Sequence, residues 1–307
     1  MKKMMFLAAA LLAIALFWSV PAFPGQVPAS VVPSEARWIA HLDMEKFVAT
    51  SLYGYLEKSG VIEIKSADVN KWLKLDIPKD LTGVTLFGLG DEAKTDAVVL
   101  IAGRFDKPGL LAMIAQNQEH KEIPYAGTTI YSTGAEEYGA FINDHLIALA
   151  DSQAGIEKAL DAATGRTKNF SGTTLSSALK AAPGDAFLSG VLPKLSKFGK
   201  EIGESKMLEQ ASGLFFLAQE AHERLLIRVQ VTAETAENAK NIADILQGLV
   251  ALGRMSGDKD KTSQVMALLD GLQVSQDGKL LKISFERPSK EIADLIIQSR
   301  GNKGLLD

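Results

Sequence analysis

Apolar and polar residues alternate over short distances along most of this 307-residue chain. Residues 36–42 have the pattern of a strand, and Asp43 after them is a residue type that begins helices, so a helix is predicted between Asp43 and Gly60. Residues 97–102 are apolar at every position, which is typical of a central strand covered on both faces. Residues 280–285 alternate instead, so one face of that strand is predicted to contact solvent.

The order of predicted elements occurs twice along the chain. Both parts, residues 35–165 and 181–307, follow the order β-α-ββ-α-ββ-α, and the polar residues 166–180 are the predicted junction. The patterns of residues 83–106 and 212–232 are the most similar. We therefore predict an α+β fold with two pattern-related halves, interpreted as an internal duplication. The sheets are expected to be largely antiparallel, with helices packed on one side.

The first 22 residues have the pattern of a secretory signal peptide. Lys2 and Lys3 precede an apolar run over residues 4–20, and Ala22 closes a small-residue cleavage site. Cleavage near Ala22 predicts export to the periplasm or the extracellular space, and residues 23–34 would then form an extended leader. No later segment is long enough to span a membrane. The alternative is an uncleaved segment that tethers the protein to the membrane.

Composition excludes several classes of protein. With 47% hydrophobic residues and a net charge of −4, the chain is too apolar and too weakly charged to be disordered. The chain has no cysteine, which excludes disulfides, thiolate metal sites and a cysteine nucleophile. Loss of the signal peptide removes two lysines and no acidic residue, so the mature chain is more acidic. This balance argues against nucleic acid as a partner.

Four side chains are the candidates for metal ligands: His41, Asp43, Asp258 and Asp260. His41 and Asp43 lie two residues apart on one face of a predicted strand, where two ligand types would meet. Asp258 and Asp260 lie in a polar loop with carboxylate oxygens of the kind that calcium prefers, but lysines alternate with them and would oppose a cation. We therefore predict no metal site and no cofactor.

Two short motifs suggest chemistry but lack the context that it needs. Residues 177–180 match the S-x-x-K of penicillin-recognising serine enzymes, but residues 256–259 match it as well and the S-D-N element is missing. The glycines at positions 88 and 90 resemble a dinucleotide fingerprint, but a polar turn and a strand follow them instead of a helix. The catalytic residues, if there are any, stay unknown at this stage.

Three blocks of sequence resemble a group of exported bacterial proteins that have no known activity. These blocks are SEARWIAHLD at residues 34–43, DLTGVTLFG at 80–88 and GRFD at 103–106. The resemblance implies a signal peptide followed by strand and helix blocks over most of the mature chain. It implies no catalytic residue, because its motifs are parts of strands and turns.

These observations favour a non-enzymatic, exported protein of the periplasm or cell envelope with a binding or structural role. Its partner would be an unknown protein or a small-molecule ligand, with membrane contact only if the signal segment is retained. A hydrolase-like enzyme is the alternative, with scattered Ser, Asp or Glu residues that only the fold brings together. A membrane-tethered envelope factor is the third hypothesis.

Overall fold

The computed structural model describes residues 27–61, 80–90, 96–192, 211–255 and 271–303. The chain divides into two compact units. Unit 1 comprises Met1–Ala49 and Ile62–Pro183, and unit 2 comprises Thr50–Val61 and Gly184–Asp307. Unit 2 therefore includes a short segment that lies between two parts of unit 1 in the sequence.

Twelve strands and seven helices lie in the described part of the chain. The strands are β1 (Trp38–Asp43), β2 (Leu81–Gly88), β3 (Ala97–Gly103), β4 (Lys121–Tyr125), β5 (Thr128–Gly134), β6 (Glu137–Asn143), β7 (Leu146–Ala150), β8 (Ala186–Leu192), β9 (Ala211–Ala221), β10 (Arg224–Ala233), β11 (Leu272–Asp277) and β12 (Leu280–Pro288). The helices are α1 (Met44–Val48), α2 (Ser51–Lys58), α3 (Lys107–Ile114), α4 (Gln153–Ala163), α5 (Thr174–Lys180), α6 (Ala236–Met255) and α7 (Ser289–Lys303).

The described strands of each unit form antiparallel sheet, which confirms the predicted α+β class. The order in unit 1 is β1-β2-β3-β7-β6-β5-β4, and the order in unit 2 is β8-β9-β10-β12-β11. When the hairpin of β4 and β5 is left out, the two orders correspond strand for strand. This correspondence supports the prediction of two pattern-related halves.

The predicted helix between Asp43 and Gly60 is divided into α1 and α2. Asp43 begins α1, as predicted, because its side chain accepts a hydrogen bond from the Lys46 N–H. Thr50 then has extended backbone, and its hydroxyl oxygen accepts a hydrogen bond of 3.0 Å from the Tyr53 N–H. A side chain that satisfies a free N–H in the first helical turn favours a new helix start. The apolar periodicity alone does not reveal this second start.

Helices pack against both faces of the sheet in unit 1. Gly155 of α4 lies so close to β3 and β7 that an added Cβ would be 3.2 Å from the Ala150 Cβ and 3.3 Å from Val98. Leu110 of α3 packs with Phe141 and Ile147, which point to the opposite face. Strand β3 lies between β2 and β7 and carries buried residues on both faces, as its sequence predicts. The expectation of helices on one side is therefore not met in unit 1.

Two segments outside the predicted halves are part of unit 1. Val31 and Val32 from the predicted leader are buried, and Phe170 from the predicted junction is buried as well. The Phe170 N–H donates to the Val32 carbonyl at 2.7 Å, and the Ser34 N–H donates to the Lys168 carbonyl at 3.0 Å. Backbone pairing and apolar burial therefore join these two segments.

Helix α6 covers part of one face of the unit 2 sheet. Ile242 and Ala243 pack with Val231 of β10 and Leu281 of β12. The predicted alternation of β12 is confirmed, since Leu281 is buried and Lys282 is exposed. Within the described ranges, no helix combines the length and the apolar character needed to cross a membrane.

A single carboxylate connects two helix starts in unit 2. Glu220 of β9 accepts hydrogen bonds from the Ser51 N–H at 2.6 Å and from the Leu52 N–H at 3.0 Å, in the first turn of α2. It also accepts a hydrogen bond from the hydroxyl group of Ser289, a fully buried residue that begins α7. The first N–H groups of a helix lack helical partners, and the helix dipole favours negative charge beside them. The sequence around Glu220 does not reveal this role, because only the fold brings these three donors together.

Replacing Glu220 by alanine is expected to loosen α2 in unit 2. The substitution leaves the Ser289 hydroxyl and two helical N–H groups without their acceptor, which costs about 1–3 kcal/mol. Hydrogen exchange measured by mass spectrometry should show faster exchange in peptides covering residues 51–58. Glu234→Ala removes an exposed carboxylate from the same unit and is the control. Equal exchange in both variants would contradict the role assigned to Glu220.

Candidate functional site

A shallow depression lies on the unit 1 sheet beside the start of α4. We call it the unit 1 groove, and its volume is about 420 Å³. Lys121, Ser132 and Tyr138 are neighbours across β4, β5 and β6, so their side chains share one face of the sheet. The residues lining the groove are Glu119, Lys121, Ile123, Ser132, Gly134, Ala135, Tyr138 and Gln153.

An irregularity in the pairing of β5 with β6 shapes the groove. The register shifts between Ser132 and Gly134, and the Ser132 hydroxyl donates to the Gly134 carbonyl at 2.7 Å. A Cβ at Gly134 would lie 3.6 Å from the Glu119 carboxylate and 3.7 Å from the Glu137 carboxylate. Because Gly134 has no side chain, the space beside both carboxylates is open. Bulges commonly redirect side chains at sheet margins in this way.

Negative charge accumulates around the unit 1 groove. Burial raises the pKa of Asp151 above its usual range, and the nearby charges of Asp96 and Glu136 add to that increase. The Asp151 Oδ1 atom is buried and accepts no hydrogen bond from the residues that the structure describes. Asp96, Glu136, Glu137 and Asp151 form no ion pair with any described residue. Lys121 is the cation within the lining of the groove.

This arrangement has a direct chemical consequence. Ile123 and Tyr138 supply an apolar surface, while Asp96, Glu136 and Asp151 add negative charge that no ion pair with a described residue neutralises. Like charges held close together repel one another, and an opposite charge at short distance relieves that repulsion. A ligand that carries a positive charge beside an apolar part would satisfy both features.

His41 and Asp43 lie on the same face of β1, as predicted, but both are bound within the fold. The His41 Nδ1 atom is 2.8 Å from the Thr85 hydroxyl of β2, and the ring is 7% exposed. The Asp43 carboxylate is 2.6 Å from the Lys46 ammonium group and also accepts the Lys46 N–H. Asp258 and Asp260 lie outside the described residues. In the ranges that the structure describes, no three His, Asp or Glu side chains are grouped as metal ligands would be.

The serine of the S-x-x-K match has a structural partner. Ser177 of α5 is exposed, and its hydroxyl donates to the Thr173 carbonyl one turn earlier at 3.1 Å. Hydroxyls that bond to the preceding helical turn are common in helices and need no catalytic explanation. The unit 1 groove was not predicted, because its residues come from three strands and a helix start. The sequence signals near it are the acidic residues at positions 136 and 137 and the polar residues 119–122.

Solved structures provide the comparison for this fold. Crystal forms I, III and IV of TP0453 match this chain with TM-scores of 0.50, 0.52 and 0.54, each at 11% sequence identity. The chain shares the fold of TP0453. The matches cover 88–89% of this chain and 96–98% of those chains, and at this identity they establish the fold alone. No protein-family model matches the sequence, and no curated protein matches it.

Replacing Asp151 by asparagine is expected to stabilise the protein at neutral pH. A carboxyl group whose pKa is raised by folding makes the folded state less stable once it ionises. The stability gain of Asp151→Asn should therefore be present at pH 7, shrink as pH falls through the raised pKa and disappear below the unfolded value of about 4. Thermal unfolding followed across pH tests this. Asp277→Asn, at an exposed turn of unit 2, should show no comparable gain.

Proposed function

We propose that this chain is an exported binding protein of the bacterial cell envelope. The support for export is the order of basic, apolar and small residues over the first 22 positions, which lie outside the described residues. Cleavage after Ala22 would release the mature chain into the periplasm or the surrounding medium.

N-terminal sequencing of the protein from periplasmic and secreted fractions tests the proposed export. We expect the mature chain to begin at Phe23, because Val20 and Ala22 occupy the small-residue positions of the cleavage site. An intact Met1 in the membrane fraction would contradict cleavage and support the membrane-tethered hypothesis.

We further propose that the unit 1 groove binds a positively charged group on a protein segment or a small molecule. The observation that carries this proposal is the group of acidic side chains around an open, partly apolar depression, of which Asp96, Glu136 and Asp151 form no ion pair with any described residue. A volume of about 420 Å³ lies within the range of small-ligand sites. The groove is open to solvent, so a side chain of an extended peptide could enter it as readily as a free amine.

Direct binding measurements with charged probes test this function. Titration calorimetry with a tetralysine peptide should show binding that weakens as salt is added, because the attraction is partly exposed to solvent. A tetraglutamate peptide should not bind. The double variant Glu119→Gln with Glu137→Gln should weaken tetralysine binding by about tenfold, the combined effect expected of two exposed charge pairs.

A matched variant separates a local site from a general charge effect. Glu234→Gln with Glu237→Gln removes the same amount of charge from exposed positions of unit 2 and should leave tetralysine binding unchanged. If both double variants bind tetralysine equally well, the groove is not the binding site.

A further inference from the structure

The two outermost strands of the sheets differ in how well their edges are protected. In the described structure, β4 is paired on one side only, with β5, and β11 is paired on one side only, with β12. An outermost strand offers unpaired N–H and C=O groups to any extended chain that approaches. The turn that closes each hairpin determines which residues of the outermost strand direct these groups outward.

The outward groups of β11 belong to Leu272, Val274 and Gln276. Asp277 and Leu280 close a two-residue turn, and the residues that flank such a turn form a hydrogen-bonded pair. The same alternation extends to the far end of the hairpin, where the Glu286 N–H donates to the Gly271 carbonyl at 3.1 Å. Residues 271, 273, 275 and 277 therefore bond to β12, and the three residues between them face outward.

This outward row has one weak partner in the described structure. The Gln247 side chain of α6 donates to the Val274 carbonyl at 3.4 Å. The other five backbone groups of Leu272, Val274 and Gln276 have no hydrogen-bond partner among the described residues. Residues 272–276 (LQVSQ) also contain no charge and no proline, the residues that commonly protect a strand edge.

The edge of β4 carries both protective features. Tyr125 and Thr128 close its two-residue turn, so Glu122 and Pro124 are the outward residues. Pro124 has no N–H to offer, and Glu122 places an exposed charge on the same short edge. The contrast shows that this fold can protect an edge strand, yet β11 lacks that protection.

We propose that β11 pairs with the β11 of a second copy of this chain. The three outward residues are centred on Val274, so an antiparallel, two-fold pairing joins Leu272 to Gln276 of the second copy and Val274 to its own equivalent. All six outward groups then form backbone hydrogen bonds, and the weak bond from Gln247 is replaced.

The side chains of β11 are compatible with this register. Gln273 of one copy lies opposite Ser275 of the other, and Asp277 lies opposite Gly271. No like charges face each other across the two-fold axis, whereas directly opposed like charges would destabilise the pairing. Gln273 and Ser275 are exposed in the single chain, so they can be changed without disturbing the core.

Sedimentation velocity over a range of concentrations tests the pairing, with protein purified from cells that express the full chain. We expect the mass to rise from that of one chain towards that of two as concentration increases. The double variant Gln273→Lys with Ser275→Lys places two pairs of like charges opposite each other across the two-fold axis. It should weaken the dimer by about tenfold. The double variant Gln273→Lys with Ser275→Glu places unlike charges opposite each other and should strengthen the dimer.

Control variants and spectra distinguish the possible causes of a change in mass. Each single lysine variant faces a neutral residue across the axis and should dimerise like the unmodified protein, and Glu122→Pro on β4 should do so as well. A single-chain mass at all concentrations overturns the proposal, and so does a dimer whose stability is the same in the two charge variants. Circular dichroism spectra that match the unmodified chain would show that a weakened dimer does not reflect unfolding.

Discussion

The arrangement of unit 2 depends on the carboxylate of Glu220. Helix α2 has eight residues, too few for a helix to be stable by itself in water. Its apolar residues Leu52, Tyr53 and Leu56 are buried, and its first N–H groups bond to the Glu220 side chain. The Ser289 hydroxyl at the start of α7 bonds to the same carboxylate. Apolar burial and one charged acceptor together hold a segment that is distant in sequence.

Unit 1 combines dense packing with local electrostatic strain. Gly155 has no side chain, and this allows α4 to approach strands β3 and β7 closely. Beside the start of that helix, Asp151 has a raised pKa because it is partly buried and near other acids. A protein can keep a carboxyl group that lowers the stability of its folded state when that group takes part in ligand binding, since perturbed carboxyl groups are common at functional sites. The proposed role of the unit 1 groove rests on the acidic side chains around it and on its open, partly apolar surface.

Local features were the most predictable part of the fold. Asp43, Asp106 and Ser152 begin helices as their residue types predict, and each side chain accepts an N–H from the first turn. Strand β3 and the hairpin of β11 and β12 also follow from apolar pattern and turn residues. Strand β4 was missed because its five residues include a proline and two charges. The division between α1 and α2 was missed because both segments continue the same apolar periodicity.

The sequence by itself determined the α+β class, most strands, several helix starts and the absence of any cysteine chemistry. These features depend on residues that are near one another in the chain, where pattern and propensity act directly. Only the tertiary structure decided the role of Glu220, whose donors lie about 70 and 170 residues away. It also decided the position of the groove and the difference between the β4 and β11 edges. Hydrogen bonds, burial and charge repulsion between distant residues depend on their separation in space, which the order of residues alone does not specify.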